Sequence, residues 1–120
     1  MFTYMVSNAL QRGKRCLIFT DRIELLRQSD GSLAKFGISP VLIESKNRSI
    51  DYDAQCFIAM AQTFMRRREK EEYMYIMESI DLVIIDEAHK QTFNGLLDLI
   101  PDRAIVIGAA RPRAPASAGR

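Results

Sequence analysis

The segment Leu82-Val-Ile-Ile-Asp-Glu-Ala-His89 is the most informative stretch of the sequence. Four apolar residues predict a strand that is buried on both faces of a parallel sheet, so Asp86 and Glu87 emerge together where this strand ends. Two adjacent carboxylates repel each other, and burying them unpaired is costly. A divalent cation resolves this conflict, since one carboxylate can hold hydrated magnesium while the other polarises a water molecule. The alternative is an acidic turn that only caps the next helix.

On both sides of this segment, similar short apolar runs alternate with segments whose apolar residues recur at helical spacing. The runs predict strands at 15–20, 41–43, 56–60, 82–85 and 104–107, and helices at 1–12, 21–36, 63–78 and 92–99. Gly13 is expected to end the first helix, Asp21 and Glu24 to form a capping box, and Gly31 to break the second helix. The alternation predicts an α/β fold with a mostly parallel sheet. Ligands of such sheets bind beyond the carboxyl ends of the strands, here near Thr20, Asp86 and Gly108.

Composition limits the class of protein. The chain has 120 residues, of which 48% are hydrophobic and 27% charged, as in an ordinary globular domain. No apolar run approaches the roughly 20 residues of a membrane span. The net charge of +2 owes much to residues 109–120, which hold three Arg and no acid and which we expect to be disordered. Cys16 and Cys56 lie in apolar segments, which favours reduced core thiols and a cytoplasmic location.

Four segments resemble the motifs of superfamily-two helicases, in the same order along the chain. Residues 82–89 match motif II, in its DEAH version. Residues 16–28 look like motif Ia of the branch that includes repair helicases and restriction motor subunits. Residues 57–67 look like motif Ib, and 105–109 occupy the place of the motif III strand. The resemblance covers residues 1 to about 110 and implies a three-layer RecA-like domain of the P-loop NTPase type over 1–108.

The resemblance also implies roles for single residues. Asp86 would coordinate Mg²⁺ on the phosphates of ATP, Glu87 would orient and deprotonate the attacking water, and His89 would sense the γ-phosphate. The side chains expected near the backbone of a nucleic acid, DNA in preference to RNA, are Thr20, Arg22, Gln28, Gln62, Thr63 and Arg66. Contacts to phosphates give affinity without reading sequence. For each of these six residues taken singly, a helix cap or a solvated side chain is the alternative.

Three departures from the family are visible. The sequence contains no Gly-x-x-x-x-Gly-Lys-Ser/Thr motif, and its one Gly-Lys pair, Gly13-Lys14, precedes a predicted strand instead of following one. The motif III pattern diverges after Ile107-Gly-Ala-Ala-Arg111. The family pattern also includes a second RecA-like domain with an arginine finger, which we do not expect within these 120 residues. We therefore expect an incomplete domain that binds ATP weakly or not at all, and an unpaired edge at strand 104–107.

These observations predict a fragment of an ATP-dependent helicase or translocase that is inactive in isolation. The alternative is a non-enzymatic nucleic-acid-binding module, or a remnant of such a domain without a function of its own. A nuclease is disfavoured because a further acid and a Lys at suitable spacing are lacking. A hydrolytic triad is disfavoured because the single His lies within the DEAH segment.

Overall fold

A computed structural model describes residues 3–46, 50–86 and 90–109. Its five strands form one parallel sheet in the order β2-β3-β1-β4-β5. The strands are β1 (Cys16–Thr20), β2 (Val41–Ile43), β3 (Cys56–Met60), β4 (Leu82–Asp86) and β5 (Ile105–Ala109). The helices are α1 (Thr3–Gln11), α2 (Ile23–Ala34), α3 (Ala61–Arg66), α4 (Glu71–Ser79) and α5 (Lys90–Leu99). The predicted α/β class and parallel sheet are confirmed.

Helices cover both faces of this sheet, which gives three layers. Successive side chains of a strand point to opposite faces, so the central strand β1 contributes to two cores. Leu17 and Phe19 pack with residues of α3, α4 and α5 on one face. Cys16 and Ile18 pack with residues of α1 and α2 on the other. Burial on both faces explains why β1 and β4 are continuous apolar runs in the sequence.

The second helix differs from its prediction at its start and in its interior. Its N-cap is Arg22 in an extended conformation, without a side-chain capping bond, so the capping box of Asp21 and Glu24 is wrong. The amide of Arg22 instead donates to Thr20 Oγ1 at 3.3 Å. Gly31 does not break the helix, because the buried residues Leu26 and Leu33 hold both sides of it against the sheet.

The predicted helix over 63–78 is two helices, α3 and α4, separated at residues 67–70. Local bonds replace the helical ladder there, with the amides of Arg68 and Lys70 donating to carbonyls three residues back. Periodicity did not reveal this break, because the intervening residues are all charged and have no apolar face to assign.

Strand β5 lies at one end of the sheet and, within the described residues, pairs only with β4. Its first residue, Ile105, is 65% exposed. The strand extends to Ala109, one residue past the predicted domain boundary, and residues 110–120 of the predicted tail lie outside the described residues. None of the helices in the described part of the chain is long and apolar enough to cross a membrane.

Candidate functional site

The carboxyl ends of four strands form one row of residues across the sheet. Thr20 is in register with Met60 on one side and with Asp86 on the other, and Asp86 is in register with Ala109. Strand alternation puts Thr20 and Asp86 on the same face, the one that α1 and α2 cover. Two oxygen-bearing side chains thus lie side by side where ligands of parallel sheets bind.

Asp86 is the one residue of the predicted catalytic group that the structure describes. It is half-buried, whereas its neighbour Thr20 is only 1% exposed. Glu87 and His89 lie outside the described residues, so their predicted roles stay predictions.

The donors at this row fit magnesium, though no set of three His, Cys, Asp or Glu side chains in the described ranges could hold a metal by itself. Magnesium keeps several waters and takes one or two carboxylates together with a substrate's phosphates. A single carboxylate at a strand end, Asp86, suits that mode of binding. The ion would supply Lewis-acid stabilisation of phosphate charge.

A basic groove occupies the other half of the same edge, beyond the carboxyl ends of β1, β2 and β3. It consists of two adjoining cavities of about 330 Å³ each. The first cavity is lined by Ile23, Arg27, Glu44, Ser45, Lys46, Met60, Gln62, Thr63 and Arg66. The second is lined by Ser45, Arg66, Arg67, Lys70, Glu72 and Tyr73. Ser45 and Arg66 belong to both, so the cavities form one continuous surface.

Positive charge dominates the groove. Arg27, Lys46, Arg66, Arg67 and Lys70 face two acids, Glu44 and Glu72. Glu44 is 8% exposed, and its Oε1 lies 3.7 Å from Nη2 of Arg27. This ion pair offsets the positive charge of Arg27. The remaining excess of cations suits a phosphate-bearing ligand.

The structure brings half of the predicted nucleic-acid residues together. Gln62, Thr63 and Arg66 line the first cavity, although Thr63 is 4% exposed and offers little surface. Arg22 and Gln28 are exposed on the N-cap and on the body of α2, and neither lines the groove. Thr20 lies in the row with Asp86. The roles of all six stay predictions.

Sequence reasoning missed several residues of the groove: Arg27, Ser45, Lys46, Arg67 and Lys70. Residues 44–46 lie between the predicted strands 41–43 and 56–60, and 66–70 lie within the predicted helix 63–78, where no periodicity marks them as functional. Their positions after the carboxyl ends of β2 and β3 are a usable signal once the strand order is known.

Comparison with known proteins identifies the family. The sequence matches the family described as "Type III restriction enzyme, res subunit" over residues 1–108. The chain belongs to this type III restriction enzyme res subunit family. A search of curated proteins found no match.

Membership in the res subunit family agrees with the fold. The family is helicase-like, and a parallel sheet with helices on both faces is what an incomplete RecA-like domain would show. The predicted resemblance to a RecA-like helicase motor is therefore confirmed. Family membership associates the domain with nucleotide and magnesium use and, in the parent protein, with nucleic acid.

Proposed function

We propose that this chain is part of the motor domain of an ATP-dependent nucleic-acid translocase and that by itself it hydrolyses ATP at most very slowly. One observation carries the proposal. The same edge of the sheet holds a strand-end carboxylate, Asp86, beside Thr20 in one half and the basic groove in the other.

In this proposal the segment 86–89 acts as a DEAH motif. Asp86 holds Mg²⁺ on the nucleotide's phosphates, Glu87 orients and deprotonates the attacking water, and His89 responds to the γ-phosphate. The low activity follows from the sequence, which contains no phosphate-binding loop whose backbone N–H groups and Lys would cradle the triphosphate. A second RecA-like domain would be the partner that closes on ATP.

The basic groove takes the backbone of a nucleic acid, with DNA preferred to RNA. Arg66 is central, since it is exposed and lines both cavities. Gln62 and Thr63 precede it by one turn of helix, while Arg22 and Gln28 add contacts from α2. Binding through phosphates predicts an affinity that falls steeply with salt and depends little on base sequence.

Phosphate release in the presence of saturating single-stranded DNA, Mg²⁺ and ATP tests the enzymatic half. We expect a rate near that of a protein-free control. Glu87→Gln is the diagnostic variant and Glu78→Gln, an exposed acid on α4, is the matched control. Robust turnover that Glu87→Gln abolishes and Glu78→Gln preserves would contradict the proposed inactivity, and would identify Glu87 as catalytic.

A second function, a nucleic-acid-binding module without catalysis, is favoured by the presence of the basic groove in a sequence without a phosphate-binding loop. Fluorescence anisotropy with a labelled oligonucleotide distinguishes the two. Salt-sensitive binding that ignores ATP supports the module, whereas affinity that changes with ATP supports the motor. The absence of any binding would indicate a remnant.

We place the protein in the cytoplasm. The support is chemical, because Cys16 and Cys56 are buried free thiols, and a reducing compartment keeps such thiols unpaired.

A further inference from the structure

Arg67 lies in the turn between α3 and α4, and its side chain connects this turn to a distant part of the chain. Its Nη1 donates to Tyr73 Oη at 2.8 Å. Its Nη2 donates to the carbonyl oxygens of Ser45 at 3.4 Å and Glu44 at 3.5 Å. One guanidinium therefore links the α3–α4 turn with segment 44–46, which follows β2.

Segment 44–46 forms a wall of the basic groove. Ser45 lines both cavities and Lys46 lines the first, and both residues are exposed. The ion pair of Glu44 with Arg27 also reaches this segment, but the Arg27 side chain is 58% exposed, and such pairs contribute little. The contacts from Arg67 to the backbone of residues 44 and 45 are a second restraint on this wall.

The partner of Arg67 is itself fixed in the core. Tyr73 is 2% exposed and packs edge-on against Phe64, with 5.2 Å between the ring centres. Phe64 in turn packs edge-on against Phe19 of the central strand, with 5.1 Å between the ring centres. The guanidinium also lies 5.9 Å from the centre of the Tyr73 ring. A continuous series of contacts thus runs from the core through Tyr73 and Arg67 to the exposed wall.

We propose that Arg67 is a positioning residue, which holds Ser45 and Lys46 beside Arg66 so that the basic groove is preformed for a nucleic-acid backbone. This inference rests on the proposed function, because it assigns a role within that binding site. Its physical basis is preorganisation: a wall that is already ordered need not lose conformational freedom when the ligand binds.

The test combines two conservative variants with binding over a range of salt concentrations. Arg67→Lys keeps the charge but loses the planar pair of donors, and Tyr73→Phe removes only the acceptor hydroxyl. We expect each to weaken binding of a labelled single-stranded oligonucleotide about 3- to 10-fold, the size of a lost hydrogen bond, at every salt concentration. The salt slope should stay at the wild-type value, since no phosphate contact is lost.

Two neighbouring arginines supply the controls. Arg68 is exposed in the same turn but does not line the groove, so Arg68→Lys should bind like the wild type. Arg66→Ala should lower the salt slope by about 0.7, the value for one contact to a single strand. Positioning is overturned if Arg67→Lys and Tyr73→Phe bind like the wild type, or if Arg67→Gln lowers the salt slope while Arg67→Lys restores both slope and affinity. The latter result would make Arg67 a direct phosphate contact.

Hydrogen exchange separates failure of this inference from failure of the proposed function. Amide exchange at Ser45 and Lys46 should speed up in Arg67→Lys without any oligonucleotide, while far-UV circular dichroism confirms an intact fold. Unchanged exchange overturns the positioning role even if the wild type binds no nucleic acid. Faster exchange with unchanged affinity also overturns it, because Arg67 would then be structural only.

Discussion

Arg15, which precedes β1, is a residue whose several contacts hold one end of the sheet together. Its Nη1 donates to Ser79 Oγ at 2.8 Å and its Nη2 to the carbonyl of Tyr52. The guanidinium also lies 5.6 Å from the centre of the Phe57 ring and 5.3 Å from that of Tyr75. A charged group with apolar neighbours on two sides depends on these bonds for stabilisation.

We expect Arg15→Met to lower the free energy of unfolding by about 1–3 kcal/mol, through the lost hydrogen bonds and cation–π contacts. Arg12→Met is the matched control, because Arg12 is exposed at the end of α1, and it should change stability by less than about 0.5 kcal/mol. Urea denaturation followed by circular dichroism measures both. Equal effects of the two substitutions would show that the contacts of Arg15 contribute nothing.

The cysteine pair makes stability depend on pH. Cys16 and Cys56 are register partners on adjacent strands. Burial, and secondarily the charge of Asp81, raises the pKa of Cys16 from an ordinary value of 9.0 to about 11. Burial, and secondarily Cys16, raises the pKa of Cys56 to about 12. The folded state therefore keeps its thiol protons at a pH where the unfolded chain releases them. The contribution of the thiols to the free energy of unfolding is complete below about pH 9 and is lost progressively above it.

The expected loss between about pH 8 and pH 10 is on the order of 1 kcal/mol per thiol. Urea denaturation at both pH values measures it. A Cys16→Ala/Cys56→Ala variant should start less stable, because of the cavities it creates, but should lose less on going to the higher pH. A pH dependence identical to that of the wild type would show that the two thiols do not cause the alkaline loss.

At the scale of elements, two glycines of the α2 region have opposite requirements. Gly31 is exposed within the helix, whereas Gly37 follows it with a φ of +76°. The amides of Gly37 and Ile38 donate back to Ala34 and Leu33, which ends the helix. A Cβ would meet no atom within 4 Å at either position, so only the backbone conformation distinguishes them.

Gly31→Ala should therefore raise the free energy of unfolding by about 0.5–1 kcal/mol, because alanine is the better helix former. Gly37→Ala should lower it by about 1–2 kcal/mol, the cost of a left-handed conformation for a residue with a Cβ. Shifts of opposite sign in the urea midpoint are the decisive result. A gain in stability at Gly37 would contradict a left-handed helix end there.

These elements show what local sequence can and cannot predict. Gly13 was correctly expected to end α1, because a Gly directly after an apolar period is a local signal that needs no tertiary information. Gly31 carried a similar signal and was misinterpreted, since the packing of α2 on the sheet outweighs a penalty of about 1 kcal/mol. The Arg67 contacts depend on a segment about twenty residues away, which no local window includes.

At the scale of the whole molecule, short apolar runs in the sequence predicted the strands. The resemblance to helicases predicted that the last strand would lie at an edge of the sheet. The position of β3 between β1 and β2 was not predicted, because every strand here is apolar enough to occupy any central place. That order is what assembles the basic groove from residues after three different strands. For the same reason, Asp86 could be proposed from sequence alone, while Ser45 and Lys46 could not.

Within the described residues β5 is the last strand of the sheet, and its outer edge bears on how whole molecules should associate. The strand is apolar and has no charged residue or Pro, the features that natural proteins use to block pairing of sheet edges. Ile105, the first residue of the strand, is 65% exposed.

We expect Ile105→Lys to reduce self-association, measured by sedimentation velocity over a concentration series, while changing the free energy of unfolding by less than about 0.5 kcal/mol. Met74→Lys, at a 47% exposed position on α4, adds the same charge away from the edge and should leave association unchanged. Equal suppression by both variants would mean that net charge alone controls solubility, and an unchanged distribution in Ile105→Lys would mean that the edge does not pair.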